Sequence, residues 1–181
     1  SSAFLGRAFG IGLMLMFMIL ITQFNSIQRP GIILGSVLMS MVGVLLGLLI
    51  TGNKFSIIMT GLGVISLAGV VVNNAIVLID YYNQQLAKGM TALDALMRAG
   101  AVRFRPVMLT AITTILGLFP MATGISFDFR KLAWDIGGES SQWWGPMAVA
   151  VIFGLGFATL LTLIVVPVLC SLADSLKNRK A

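Results

Sequence analysis

Residues 55–79 read FSIIMTGLGVISLAGVVVNNAIVLI, an apolar run interrupted toward its C-terminal end by two adjacent amides, Asn73 and Asn74. At about 25 residues the run is long enough to cross a bilayer as a helix. A side-chain amide in hydrocarbon without a hydrogen-bond partner costs on the order of 1–3 kcal/mol, so the pair must face protein or trapped water. The stretch therefore predicts a packed bundle of membrane helices with a polar interior.

Composition extends that reading to the whole chain. Of 181 residues, 58% are hydrophobic and 10% charged, with a mean hydropathy of +1.01, where soluble domains carry about 25% charge. Five stretches reach the length of a spanning helix: residues 8–24, 31–50, 55–79, 106–124 and 145–172. None alternates apolar and polar residues with the period of two that a barrel wall needs. The expected fold is an all-α integral membrane bundle of five transmembrane helices.

Lys and Arg set the orientation. The side holding the third linker and the C-terminus carries Arg29, Lys88, Arg98, Arg103, Arg105, Lys177, Arg179 and Lys180, whereas Arg7, Lys54, Arg130 and Lys131 lie opposite. The richer side is read as cytoplasmic, which puts the N-terminus outside and the C-terminus inside. The formal charge of +6 then reflects topology and contact with anionic membrane lipid. A nucleic-acid partner is not expected, because the basic residues are divided among loops. The chain opens on Ser1 without a basic region or a cleavage site, so it is read as a piece of a longer protein.

The linkers are short, with one exception. Residues 25–30 and 51–54 are tight turns, the first leading into Pro30 in the first turn of the next helix, the second using Gly52 and Asn53. Residues 81–105 are longer. Gly89 ends one helix, and Thr91 with Asp94 resembles a capping box for another. Leu93, Leu96 and Met97 recur at helical spacing, which predicts a short interfacial helix over residues 91–101 on the cytoplasmic surface, with Gly100 either continuing that face or ending it. Arg103-Phe104-Arg105-Pro106 is then expected to turn the chain back into the membrane, with Arg105 as a snorkelling anchor. The outer loop, residues 125–144, concentrates Phe127, Phe129, Trp134, Trp143 and Trp144. An interfacial aromatic belt accounts for them, and stacking of a carbohydrate or drug is the sharper alternative.

Helical spacing sorts the polar residues into stripes. Ser66, Gly69, Asn73 and Asp80 follow steps of 3, 4 and 7 residues, with Asn74 at the edge about 100° away. Thr110, Thr113, Thr114 and Gly117 form a comparable stripe on the fourth helix, at a similar inner-leaflet depth. The two stripes are expected to hydrogen-bond each other. From chemistry alone they divide between packing glue and the lining of an ion or proton path. Gly31/Gly35 and Gly43/Gly47 are small-xxx-small pairs that suit close helix approach.

Enzymatic chemistry is a poor fit. The chain has no His and one Cys, Cys170, which excludes a Ser-His intramembrane protease and leaves no metal site or cofactor expected. An aspartyl dyad needs two buried acids, and only Asp80 comes near a span.

Three ordered segments, Gly69-Val-Val-Val-Asn73-Asn74-Ala-Ile-Val-Leu-Ile-Asp80-Tyr81, Arg103-Phe104-Arg105-Pro106-Val-Met-Leu-Thr110 and Gly117-Leu118-Phe119-Pro120, closely resemble the C-terminal half of resistance-nodulation-division (RND) efflux permeases. Trp143-Trp144-Gly145-Pro146-Met147 and Val165-Val166-Pro167 fit the start and end of the last helix. The resemblance covers essentially the whole chain, as the last five of the family's twelve helices, and is nearest the hydrophobe-amphiphile type. It implies a proton-driven antiporter of the bacterial inner membrane, a homotrimer working with a periplasmic adaptor and an outer-membrane channel. It also implies a missing N-terminal half carrying the acidic pair that exchanges protons. Arg103 and Thr110 stand at the family's Arg and Thr positions. Asn73 stands where many multidrug members have Lys, and an amide can hydrogen-bond an aspartate without neutralising it. Asn73, Asn74, Arg103 and Thr110 are thus the candidate proton-relay support. A non-transporting five-helix scaffold or assembly subunit is the alternative function.

Overall fold

Helix ends fall where turn chemistry places them. In the computed structural model, which describes residues 2–128 and 133–178, α1 (Ser2–Phe24) is followed after a short turn by α2 (Gln28–Thr51). Pro30 sits in the first turn of α2, where its missing N–H has no partner to lose. Gly52 closes α2 in the left-handed region at φ +65°. Helix α3 (Ile57–Ala87) begins at Ser56, whose hydroxyl accepts from the Met59 N–H, and ends before Gly89, at φ +84°.

The fourth helix corrects one expectation. Thr91 caps α4 (Ala92–Thr123), accepting from the Asp94 N–H at 3.2 Å while its own hydroxyl donates to the Asp94 carboxylate at 2.6 Å. From that cap the helix runs through Gly100, Arg103, Arg105 and Pro106 without a break, so residues 91–101 are not a separate interfacial helix. Length is the reason: 32 residues make a rod about 48 Å long, against a hydrocarbon core of about 30 Å. A straight helix can cross the membrane and still carry its first turns beyond it. Pro106 removes one backbone hydrogen bond in mid-helix and does not turn the chain.

Beyond α4, the all-α frame acquires a small addition. Strands β1 (Ile125–Asp128) and β2 (Ala133–Ile136) pair antiparallel, with Ile125 opposite Ile136 and Phe127 opposite Trp134. Trp134, Trp143 and Trp144 are exposed, whereas Phe129, Arg130, Lys131, Arg179 and Lys180 lie outside the described residues. Helix α5 (Glu139–Leu160) then passes through a π-helical turn, Leu161–Val165, into α6 (Val166–Asn178). Among the described residues, five helical stretches are long and apolar enough to cross a membrane: α1, α2, α3, α4 and the combined last one.

Helix α5 is the hub. Its Ala148, Val149, Ala150, Gly154, Leu155 and Ala158 are buried against α2, α3 and α4. Small residues set those approaches: a Cβ added to Gly43 or Gly47 would overlap Phe157 or Phe153, and one on Gly63 would come within 3.1 Å of Ala150 and the Met147 carbonyl. Gly31 and Gly35 behave differently from the expected close approach, since a Cβ there meets nothing within 4 Å. Buried hydroxyls are satisfied within their own helices, Ser36 to the Ile33 carbonyl, Ser40 to Val37 and Thr159 to Leu155. Helix α1 is peripheral, with Leu20 its buried residue.

Candidate functional site: the polar face of α3 and α4

One face of α3 is apolar and inward, with Leu67, Val71, Ala75 and Leu78 buried. The opposite face carries Ser66, Gly69 and Asn73, all exposed, and the partly buried Asp80. The predicted stripe therefore exists as one line, and nothing among the described residues covers Ser66, Gly69 or Asn73. A Cβ on Gly69 would meet no atom within 4 Å. Asp80 accepts a hydrogen bond from Gln84 Nε2 at 2.8 Å, one turn further along the same helix.

The two asparagines part company. Asn73 faces outward with the stripe, whereas Asn74 is buried, at 7% exposure. Asn74 lies seven residues before Tyr81, and seven residues bring a helix back almost to the same line. Tyr81 is one of the α3 residues that meet α4, its ring lying under the Arg103 guanidinium at 4.9 Å from the centroid. Because α3 and α4 run antiparallel, the seven-residue step from Arg103 to Thr110 climbs as far as the step from Tyr81 back to Asn74. By that arithmetic Asn74 and Thr110 each lie about 10 Å along their own helices from the Arg103–Tyr81 contact, and no hydrogen bond joins their side chains among the described residues.

The expected bonds between the stripes are not made among the described residues. Thr110 donates to the Val107 carbonyl at 2.9 Å, Thr113 to Leu109 at 2.8 Å and Thr114 to Thr110 at 2.8 Å, each inside α4. Back-bonding of this kind satisfies a hydroxyl in hydrocarbon without a neighbouring helix. Thr110, Thr113 and Gly117 are exposed, and Gly117, like Gly69, has open space where a Cβ would be. Thr114 is half-buried.

Arg103 is the charge on this seam. It is partly buried, and its Nε is fully covered with no hydrogen-bond partner among the described residues. A guanidinium over an aromatic face gains on the order of 1 kcal/mol, which holds the group in place but leaves a buried donor unsatisfied. Arg105, two residues on, is exposed, as an anchor requires.

A second polar cluster escaped the sequence reading. At the end of the bundle where α2 begins and α6 ends, Arg29 donates to Asn83 Oδ1 and lies 3.6 Å from the Asp174 carboxylate, which also accepts from the Tyr82 hydroxyl at 3.1 Å. These residues come from α2, α3 and α6. The available signal was a lone acid, Asp174, at the end of the last apolar run on the same side as Arg29.

The chain matches the AcrB/AcrD/AcrF family over residues 2–174. It is 34% identical over 176 residues to the swarming motility protein SwrC of Bacillus subtilis (strain 168), covering 97% of this chain and 16% of that protein. It is 32% identical over 157 residues to the multidrug resistance protein MdtC of Erwinia tasmaniensis, covering 86% of this chain and 14% of that one. Two crystal forms of a heavy metal efflux pump are also similar. One gives a TM-score of 0.72 at 31% identity over 90% of this chain and 14% of that chain. The other gives 0.68 at 32% identity over 87% and 15%. The chain thus spans about one-sixth or less of the length of these relatives.

Proposed function

The chain belongs to the AcrB/AcrD/AcrF family of efflux permeases, and from that premise we propose that it is the C-terminal membrane portion of a proton-driven RND permease subunit, inactive by itself. The supporting observation is the uncovered line of Ser66, Gly69 and Asn73 beside the seam that holds Arg103. A polar helix face turned to lipid is costly, so a further helix of the same protein is its natural cover. We assign that cover to the acid-bearing helix of the N-terminal half. There the guanidinium of Arg103, with a buried donor to spare, answers the charge of a carboxylate as it gains and loses its proton.

Asn73 and Asn74 take different parts in this scheme. Asn73 offers its amide across the face to the carboxylates, and Asn74 lines the seam beside Thr110. An amide contributes hydrogen bonds and no charge, so the cationic role falls to Arg103. Ser66, Gly69, Thr113, Thr114 and Gly117 supply small and polar packing along the same face.

The complete subunit sits in the bacterial inner membrane with this chain's N-terminus periplasmic and C-terminus cytoplasmic. It assembles as a homotrimer with a periplasmic adaptor and an outer-membrane channel, and carries hydrophobic or amphiphilic cargo. The motif order and the likeness to a multidrug resistance protein support that cargo class, while the equal likeness to a heavy metal efflux pump, and Asn73 in place of the multidrug Lys, leave metal cargo as the second reading. The deciding experiment measures uncoupler-sensitive efflux of an amphiphilic dye by the intact gene product. Asn73→Ala and Thr110→Ala are expected to reduce efflux while expression and trimer assembly stay at parental levels. Unchanged efflux in both would reduce the face to packing alone.

A further inference from the structure

The last helix changes character halfway. Above Leu160 it is packed on three neighbours, whereas below it the backbone passes through the π turn Leu161–Val165 and then Pro167. A π turn spreads its hydrogen bonds over five residues, and Pro167 has no N–H to give, so this is the weakest stretch of backbone bonding in the element. The lower half, α6, is also loosely packed along one flank. A groove of about 750 Å³ separates it from α2, bounded by Gly31, Gly35 and Met39 on one wall and Val165, Leu169 and Leu176 on the other. What ties α6 down at its inner end is polar: Asp174 receives the Tyr82 hydroxyl and pairs with Arg29, which in turn bonds Asn83.

We propose that Arg29, Tyr82, Asn83 and Asp174 form a latch that holds α6 against α2 and α3, and that the π turn is the hinge on which α6 swings into the groove when the latch opens. A part-buried pair carrying a hydrogen bond from a phenol is strong enough to hold one position and weak enough to be broken by a shift of α3. Because α3 also carries the Ser66–Asn73 face, its displacement moves Tyr82 and Asn83 directly. The latch therefore converts motion at the polar face into motion of the last helix at the inner surface. This inference stands on the inner cluster and the hinge, independently of what ion or cargo moves.

Cys170 supplies the probe. It is the one cysteine of the chain, on α6, buried at 2% exposure. The experiment follows the rate at which N-ethylmaleimide labels Cys170 in membranes containing the intact gene product, with any other cysteines replaced. Asp174→Ala and Arg29→Ala are each expected to speed labelling about tenfold, and Tyr82→Phe, which removes one hydroxyl, by a smaller factor. Exchanging the charges, Arg29→Asp with Asp174→Arg, is expected to slow labelling back toward the parent. A cysteine placed at Ala148, buried in α5, is expected to label no faster in the Asp174→Ala background. Unchanged labelling of Cys170 in Asp174→Ala and Arg29→Ala would overturn the latch, and equal acceleration at position 148 would replace it with general unfolding. Pro167→Ala, restoring a backbone bond, is expected to slow labelling in the latch-broken protein, and no change there would overturn the hinge.

Discussion

Arg103 stands over the ring of Tyr81, 4.9 Å from its centroid, a contact that ties α4 to α3. Beside it Asn74 is buried and Asn73 is exposed, and the Arg103 Nε is covered without a hydrogen-bond partner among the described residues.

Tyr81→Ala is expected to lower efflux about fivefold by freeing the guanidinium from a contact on the order of 1 kcal/mol. Tyr81→Phe keeps the aromatic face and is expected to transport normally. Arg103→Ala should abolish transport, whereas Arg105→Ala, at an exposed anchor, should leave it intact. Dye efflux from cells at matched expression checks the series, and equal loss in Tyr81→Phe and Tyr81→Ala would count against the cation–π contact.

The buried amide makes a separate prediction. Asn74 makes no side-chain hydrogen bond among the described residues, and Leu has nearly its shape. Asn74→Leu is therefore expected to leave the melting temperature of the purified permease unchanged or raised. A fall of several degrees would mean that the amide is hydrogen-bonded in the complete protein.

The four glycines of α2 should divide into two pairs. Gly43→Leu and Gly47→Leu drive a side chain into Phe157 and Phe153, and each is expected to cost about 3 kcal/mol or to prevent accumulation in the membrane. Gly31→Ala and Gly35→Ala meet open space and are expected to be neutral or to stabilise the helix by about 0.5–1 kcal/mol. Thermal melts in detergent distinguish the pairs.

At the start of α4, Thr91→Ala removes the cap that both hydrogen bonds with Asp94 depend on. A loss of about 1 kcal/mol is expected, with transport retained. Gly89→Ala, at φ +84°, should cost a similar amount for a different reason, backbone strain. Protease susceptibility of the loop between α3 and α4 reads both.

Much of the fold is legible in the chain because its signals are local. Apolar run lengths located the five long helices. Gly52, Gly89 and the Thr91–Asp94 pair marked helix ends that the structure keeps. Pro106 misled the reading because proline is also a local signal, and what overrode it was the continuity of a 32-residue helix. The Arg29–Asp174 cluster was not legible, since its members come from three helices and no spacing rule relates them.

By itself, then, the sequence determined which residues share a line on one helix, because helical periodicity needs no partner. The order Ser66, Gly69, Asn73, Asp80 is of that kind. Only the tertiary structure decided which way each line points, because that depends on where neighbouring helices pack. It turned Asn74 inward and Asn73 outward, kept the threonines bonded to their own helix, and joined Arg29 to Asp174 across one end of the bundle.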